Sequence, residues 1–136
     1  MFGRKWKIDG ELEIYSEEKE VKELEVQLDK DTLYVCPQRD LDMAEAKTFR
    51  LEVDGQLFAR SNIRRLVVDL SKVKFIDSSG LGALLGRYKL LQSRQGEMVL
   101  CEVDSRVYRI LELSGMKKLM LIKQADEQKE KECKQW

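Results

Sequence analysis

Two β-rich runs, "KELEVQL" (22 to 28) and "TLYVCPQ" (32 to 38), flank the polar tripeptide "DKD", a pattern that predicts a β-hairpin. From Asp42 the spacing changes. Met43, Ala46, Phe49, Leu51, Val53, Leu57 and Phe58 recur closer to a period of 3.6 than of 2, which predicts a helix over residues 42 to 61 with Asp42 as its N-cap. The apolar run "RRLVVDLS" (64 to 71) reads as a strand. A helix from about Ser79 to Arg94 follows, with Leu81, Leu84, Leu85, Tyr88 and Leu91 on one face. The run "EMVLCEV" (97 to 103) is a strand. "SRVYRILELSG" (105 to 115) is a helix capped by Ser105 and stopped by Gly115, and "KKLMLIK" (117 to 123) is a last strand.

The resulting order, ββαβαβαβ, is that of an α/β domain: a small mixed sheet of four or five strands with helices mainly on one face. Right-handed parallel crossovers carry the loops that leave the carboxyl ends of the strands to one edge of such a sheet, where sites collect. Two loops qualify, "PQRDLDM" (37 to 43) and "KFIDSSG" (74 to 80), so Asp40, Asp42 and Glu45 should face Asp77, Ser78 and Ser79. Residues 1 to 21, which include a strand-like "ELEIYS", read as an extension of uncertain order. Residues 22 to 123 form the domain, and 124 to 136 read as a charged tail.

Composition narrows the chemistry. The 136 residues suit one domain, and 25 Lys and Arg against 25 Asp and Glu give no bias toward nucleic acid or a membrane surface. No apolar run has the length of a signal peptide or a membrane span, so a cytoplasmic location is expected. The three cysteines, Cys36, Cys101 and Cys133, lack the close spacings of a metal site or a disulfide framework; Cys36 and Cys101 fall in apolar strands and read as buried thiols. The chain has no histidine, which removes the usual base of Ser-His and Cys-His catalysis and the commonest zinc ligand. No enzyme activity, catalytic residue, metal or cofactor is expected.

The cluster Asp77-Ser78-Ser79 has a plain reading, because Asp and Ser are favoured N-caps and a helix start needs one. Gly80, Gly82, Ala83 and Gly86 read similarly as small residues that let this helix approach the sheet. A hydrolase nucleophile fits poorly, since "DSSGLG" lacks the G-x-S-x-G order and no base is available. A phosphate cradle is also poorly supported without the Lys of a P-loop.

The stretch "VVDLSKVKFIDSSGLGALLGRYKLL", followed by "GEMVLCEVDSRVYRILELSGMKKLMLI", resembles the bacterial anti-sigma factor antagonists, single domains of the STAS fold. The resemblance spans about residues 22 to 123. It implies a switch in which the unphosphorylated protein binds a serine-kinase anti-sigma factor and releases the sigma factor. Phosphorylation by that kinase ends the binding, and a PP2C-type phosphatase reverses it. Carried onto this sequence, the phosphoacceptor is Ser78 and the partner-binding set is Asp40, Asp42, Asp77, Ser78, Ser79 and Gly80. A helix N-terminus tolerates phosphate well, and the added charge would join Asp77, Asp40 and Asp42 on an acidic edge. The family pattern G-E/D-L-D-x-x-T-A becomes "RDLDMAEA" here, with Arg39 in place of Gly and Glu45 in place of Thr, a change that bears on which partner is recognised. Another STAS role, in a lipid-transport or signalling complex, would use the same edge without the kinase.

Overall fold

The computed structural model describes residues 4–8, 12–16 and 24–125. Strands β1 (Arg4–Ile8) and β2 (Leu12–Ser16) pair antiparallel, with Trp6 opposite Ile14. The strand expected in "ELEIYS" is β2, and its partner β1 was not expected. Residues 126 to 136 of the expected tail lie outside the described residues.

The main sheet has the order β3 (Leu24–Asp29), β4 (Thr32–Pro37), β5 (Arg65–Asp69), β6 (Glu97–Val103) and β7 (Leu121–Gln124). The β3–β4 hairpin is antiparallel, and Lys30 takes a φ of 58° in its turn. The other three pairings are parallel. Between them run α1 (Met43–Ala59), α2 (Ser78–Ser93) and α3 (Ser105–Leu113). The sheet is therefore mixed, as the element order required.

Alternation fills the core. Leu33, Val35, Leu66, Val68, Met98 and Leu100 share one sheet face and cluster with Phe49, Val53 and Leu57 of α1, Leu84 and Leu91 of α2, and Val107 and Leu111 of α3. Each fully buried side chain of this size contributes roughly 1.5 to 3 kcal/mol. The opposite sheet face carries a smaller buried group, Val67, Val99 and Cys101, with Tyr34 packed against it. Both strand cysteines are buried, as expected, but Cys101 is disulfide-bonded rather than a thiol, a bond its spacing does not signal, whereas Cys36 forms no disulfide.

Three expectations need correction. Asp104, not Ser105, caps α3, its carboxylate accepting from the Arg106 amide. The last strand starts at Leu121 rather than Lys117. Gly115, at a φ of 85°, ends α3 in the left-handed region, and Met116–Lys118 form a 3-10 turn that buries Met116. Of the small residues on α2, Gly80 meets close neighbours, but a β-carbon on Gly82 or Gly86 would touch nothing within 4 Å. Close approach explains Gly80 alone among these glycines.

Two arginines brace the helical layer. Arg94, just past α2, donates to the carbonyls of Leu57, Arg60 and Ile63, satisfying the end of α1. Arg87 lies buried between α1 and α2, with its Nε 2.9 Å from Asp54 Oδ1 and its Nη1 donating to the Ala83 carbonyl. Burial lowers the Arg87 pKa, and Asp54 works against that shift. Among the described residues no helix is long and apolar enough to cross a membrane.

Candidate functional site

The loops after β4 and β5 meet as their parallel strands require. Leu41 and Ile76 form a parallel β-bridge, in which Leu41 N donates to Phe75 O at 3.1 Å and Asp77 N to Leu41 O at 3.3 Å. Asp40 adds a second tie. Its Oδ1 accepts from the amides of Lys74, at 2.7 Å, and Phe75, at 3.2 Å. The first loop thus holds the second in shape, and Asp40 serves backbone amides rather than standing free.

The remaining carboxylates at this edge are also engaged. Asp42 caps α1 through the Glu45 amide and Asp77 caps α2 through the Gly80 amide, each at 3.0 Å. Cap bonds of this kind are worth about 1 kcal/mol each. Gly80 is buried where α2 crosses Leu41, and a β-carbon there would overlap the Leu41 carbonyl oxygen and come within 2.9 Å of its Cβ. This packing sets where α2 begins. Asp77 being the cap, Ser78 and Ser79 are the first two residues of the helix, Ser78 exposed and Ser79 half-buried. Their amides belong to the first turn, which has no intrahelical acceptors and lies at the positive end of the helix dipole.

A charged chain continues onto α3. Lys74 Nζ lies 3.6 Å from Asp104 Oδ2, and Arg106 Nε lies 3.1 Å from Asp104 Oδ1. The Arg106 side chain and amide, with a smaller contribution from Lys74, lower the Asp104 pKa from 3.8 to about 2, while Asp104 raises that of Arg106. On the other side Arg39 Nη1 lies 3.6 Å from Glu45 Oε2, so the two positions that depart from the family pattern contact one another. Among the described residues no group of three or more potential ligands is placed to hold a metal.

The structure therefore brings Asp40, Asp42, Asp77, Ser78, Ser79 and Gly80 to this edge, and Glu45, also expected there, pairs with Arg39 beside Asp42. It adds Lys74, Asp104 and Arg106, which sequence reasoning missed. The ion pair between Lys74 and Asp104 joins residues 30 positions apart, and no local pattern announces it.

A family model described as the STAS domain matches residues 7–128. The chain belongs to the STAS domain family. This STAS chain is 36% identical over 100 residues to a protein named anti-sigma F factor antagonist from Paenibacillus polymyxa, a match covering 74% of this chain and 85% of that one. Among solved structures it resembles a putative anti-sigma factor antagonist from Thermotoga maritima, with a TM-score of 0.69 and 21% identity over 82% of this chain and 95% of that one. It also resembles the Bacillus cell fate determinant SpoIIAA in its phosphorylated form, with a TM-score of 0.60 and 20% identity over 73% of this chain and 89% of that one. Both structural likenesses are likenesses of fold.

Proposed function

We propose that this protein is an anti-sigma factor antagonist: unphosphorylated, it binds a serine-kinase anti-sigma factor and releases the sigma factor, and phosphorylation of Ser78 ends that binding. The observation that carries the reading is the position of Ser78. It is the exposed first residue of α2, beside the Asp77 cap, on a loop that Asp40 and Leu41 hold in place. The relationship to a named anti-sigma F factor antagonist at 36% identity supports it.

The chemistry asks little of this chain. The kinase brings ATP and metal; the Ser78 hydroxyl attacks the terminal phosphoryl group, forms the ester bond and loses its proton as ADP leaves. The chain contributes an accessible hydroxyl and a helix N-terminus that favours the dianion. Ser79, half-buried, is the poorer acceptor. A PP2C-type phosphatase would reverse the step by hydrolysis. In this reading Ser78, Ser79 and the loops built on Asp40, Asp42 and Asp77 form the docking edge, and buried Gly80 acts by fixing where α2 starts.

The test pairs mass-spectrometric mapping of the phosphosite, after incubation with the kinase and ATP, with binding of each variant. Ser78→Ala should refuse phosphate yet bind, Ser78→Asp should bind poorly, and Ser79→Ala should remain an acceptor. A cost of about 3 kcal/mol at the interface weakens binding more than a hundredfold. Phosphate on Ser79 alone would overturn the assignment, and equal binding of both forms would remove the switch.

A further inference from the structure

The helices cover one face of the main sheet, yet the other face is buried too. On it Val67 is 6% exposed, Val99 4% and Cys101 2%, and among the described residues Tyr34 of the same sheet packs against them. Apolar side chains on a sheet face leave water only beneath a second layer. The apolar side chains of α1, α2 and α3 belong to the opposite side.

Cys101 lies within this helix-free group and carries a disulfide. Its partner follows from the cysteine count. The chain has three cysteines, and Cys36 forms no disulfide. Cys36 is out of reach in any case: it lies on β4 and Cys101 on β6, with β5 between them. Strands spaced about 4.8 Å apart put the two at about 9 to 10 Å, beyond the roughly 7 Å Cα limit of a disulfide. Cys133 remains. The route to it is short, because the Ala125 amide donates to the Val103 carbonyl at 2.8 Å, two residues along β6 from Cys101, and Cys133 is eight residues on. Eight residues reach about 26 to 29 Å when extended, against about 7 Å of strand to be retraced. Residues 126 to 136 are charged or Gln except for Cys133 and Trp136, three positions apart.

We propose that the helix-free face of the sheet is the docking site of this chain's own segment 126–136, locked there by a Cys101–Cys133 disulfide and released by reduction. The face needs a small apolar cover, and Cys133 and Trp136 supply it. Closure joins the two sulfurs, while two electrons and two protons pass to a disulfide oxidant such as glutathione disulfide, which leaves as two thiols. Opening is the reverse exchange with a dithiol of the thioredoxin class. Its thiolate attacks one sulfur of the bond, its second thiol resolves the mixed disulfide, and the reductant ends oxidised with Cys101 and Cys133 as thiols. Because Cys101 is buried, the attack falls on the Cys133 sulfur. The lock closes over the strand ends from which the Ser78 loop leaves: Cys101 is paired with Asp69, and its carbonyl accepts from the Leu70 amide at 2.9 Å. It is independent of the antagonist reading and holds for a STAS domain with any partner.

Two measurements on the full chain test this. In the first, the protein is equilibrated in glutathione buffers from reducing to oxidising, alkylated, and mapped by non-reducing peptide mass spectrometry. Monomeric protein should yield a Cys101–Cys133 peptide pair that disappears on treatment with reduced thioredoxin. Cys101 joined to a cysteine of a second copy, Cys101 still alkylated in the most oxidising buffer, or a bond that thioredoxin leaves intact would overturn the proposal. In the second, methyl NMR locates the cover. The Val67 and Val99 methyls should show NOE contacts to residues 126–136 in the oxidised protein and lose them on reduction and in C133S. Contacts to the β1–β2 hairpin in place of the segment overturn the docking, and contacts to the segment that survive both reduction and C133S overturn the lock.

Discussion

Gly80 lies against Leu41 so closely that a single added methyl group would overlap the Leu41 carbonyl oxygen, the same oxygen that accepts from the Asp77 amide. Gly80→Ala should therefore destabilise the domain by about 3 kcal/mol, because the obstacle is backbone and cannot swing away. It should also displace the start of α2 and slow phosphate transfer to Ser78. A denaturant titration checks the first effect and a kinase assay the second; an unchanged midpoint would contradict the packing.

Gly82 and Gly86 behave differently. Both are interior residues of α2 with open space around a built β-carbon, so Gly82→Ala and Gly86→Ala should each stabilise by about 0.5 to 1 kcal/mol through helix propensity. Thermal melts of the two variants should shift upward, opposite in sign to the Gly80 variant on the same helix.

The Arg87–Asp54 pair joins α1 to α2 with the guanidinium the more buried member. Asp54→Ala leaves that charge without its partner and should cost about 2 kcal/mol, discounted because Asp54 is partly exposed. Arg87→Met, which keeps the volume and removes the charge, should cost less. The order of the two, read from urea midpoints, is the prediction; a reversed order would mean that packing of the arginine stem dominates.

Asp104 should confer pH dependence. Its pKa is depressed in the fold to about 2, so its contribution to stability is present above the unfolded value of 3.8 and is lost as pH falls from there through about 2. Arg106→Ala should return the Asp104 titration toward 3.8 and flatten stability over that window. Carboxyl NMR of both proteins follows it directly.

Much of this was legible in the sequence because the signals were local. Strand runs and 3.6-residue spacing found all five strands of the main sheet, and Asp42 and Asp77 hold the cap positions that short side chains ahead of apolar runs suggest. Parallel topology alone brought the two loops together. Where adjacent residues were both competent, as with Asp104 and Ser105, the backbone decided, and Asp104, with φ −59° and ψ 146°, is the extended one. Strand β7 was misjudged because "KKLMLIK" looks uniformly apolar after its lysines, whereas burial of Met116 and Met120 winds the first half into a turn. How the charges at the Ser78 edge are held was not legible, because charge counts carry no direction. That Asp40 faces inward onto amides 34 and 35 residues away, while Lys74 and Arg106 face outward, depends on contacts no sequence window contains.

The inward carboxylates and outward cations also separate two kinds of inheritance. Asp40, Leu41, Asp77 and Gly80 shape the loops from within, so they tolerate little change. Arg39, Lys74 and Arg106 sit above them and can be exchanged without refolding what lies beneath. Related domains can then vary at the exposed positions around Ser78 while the loops that present it keep their shape.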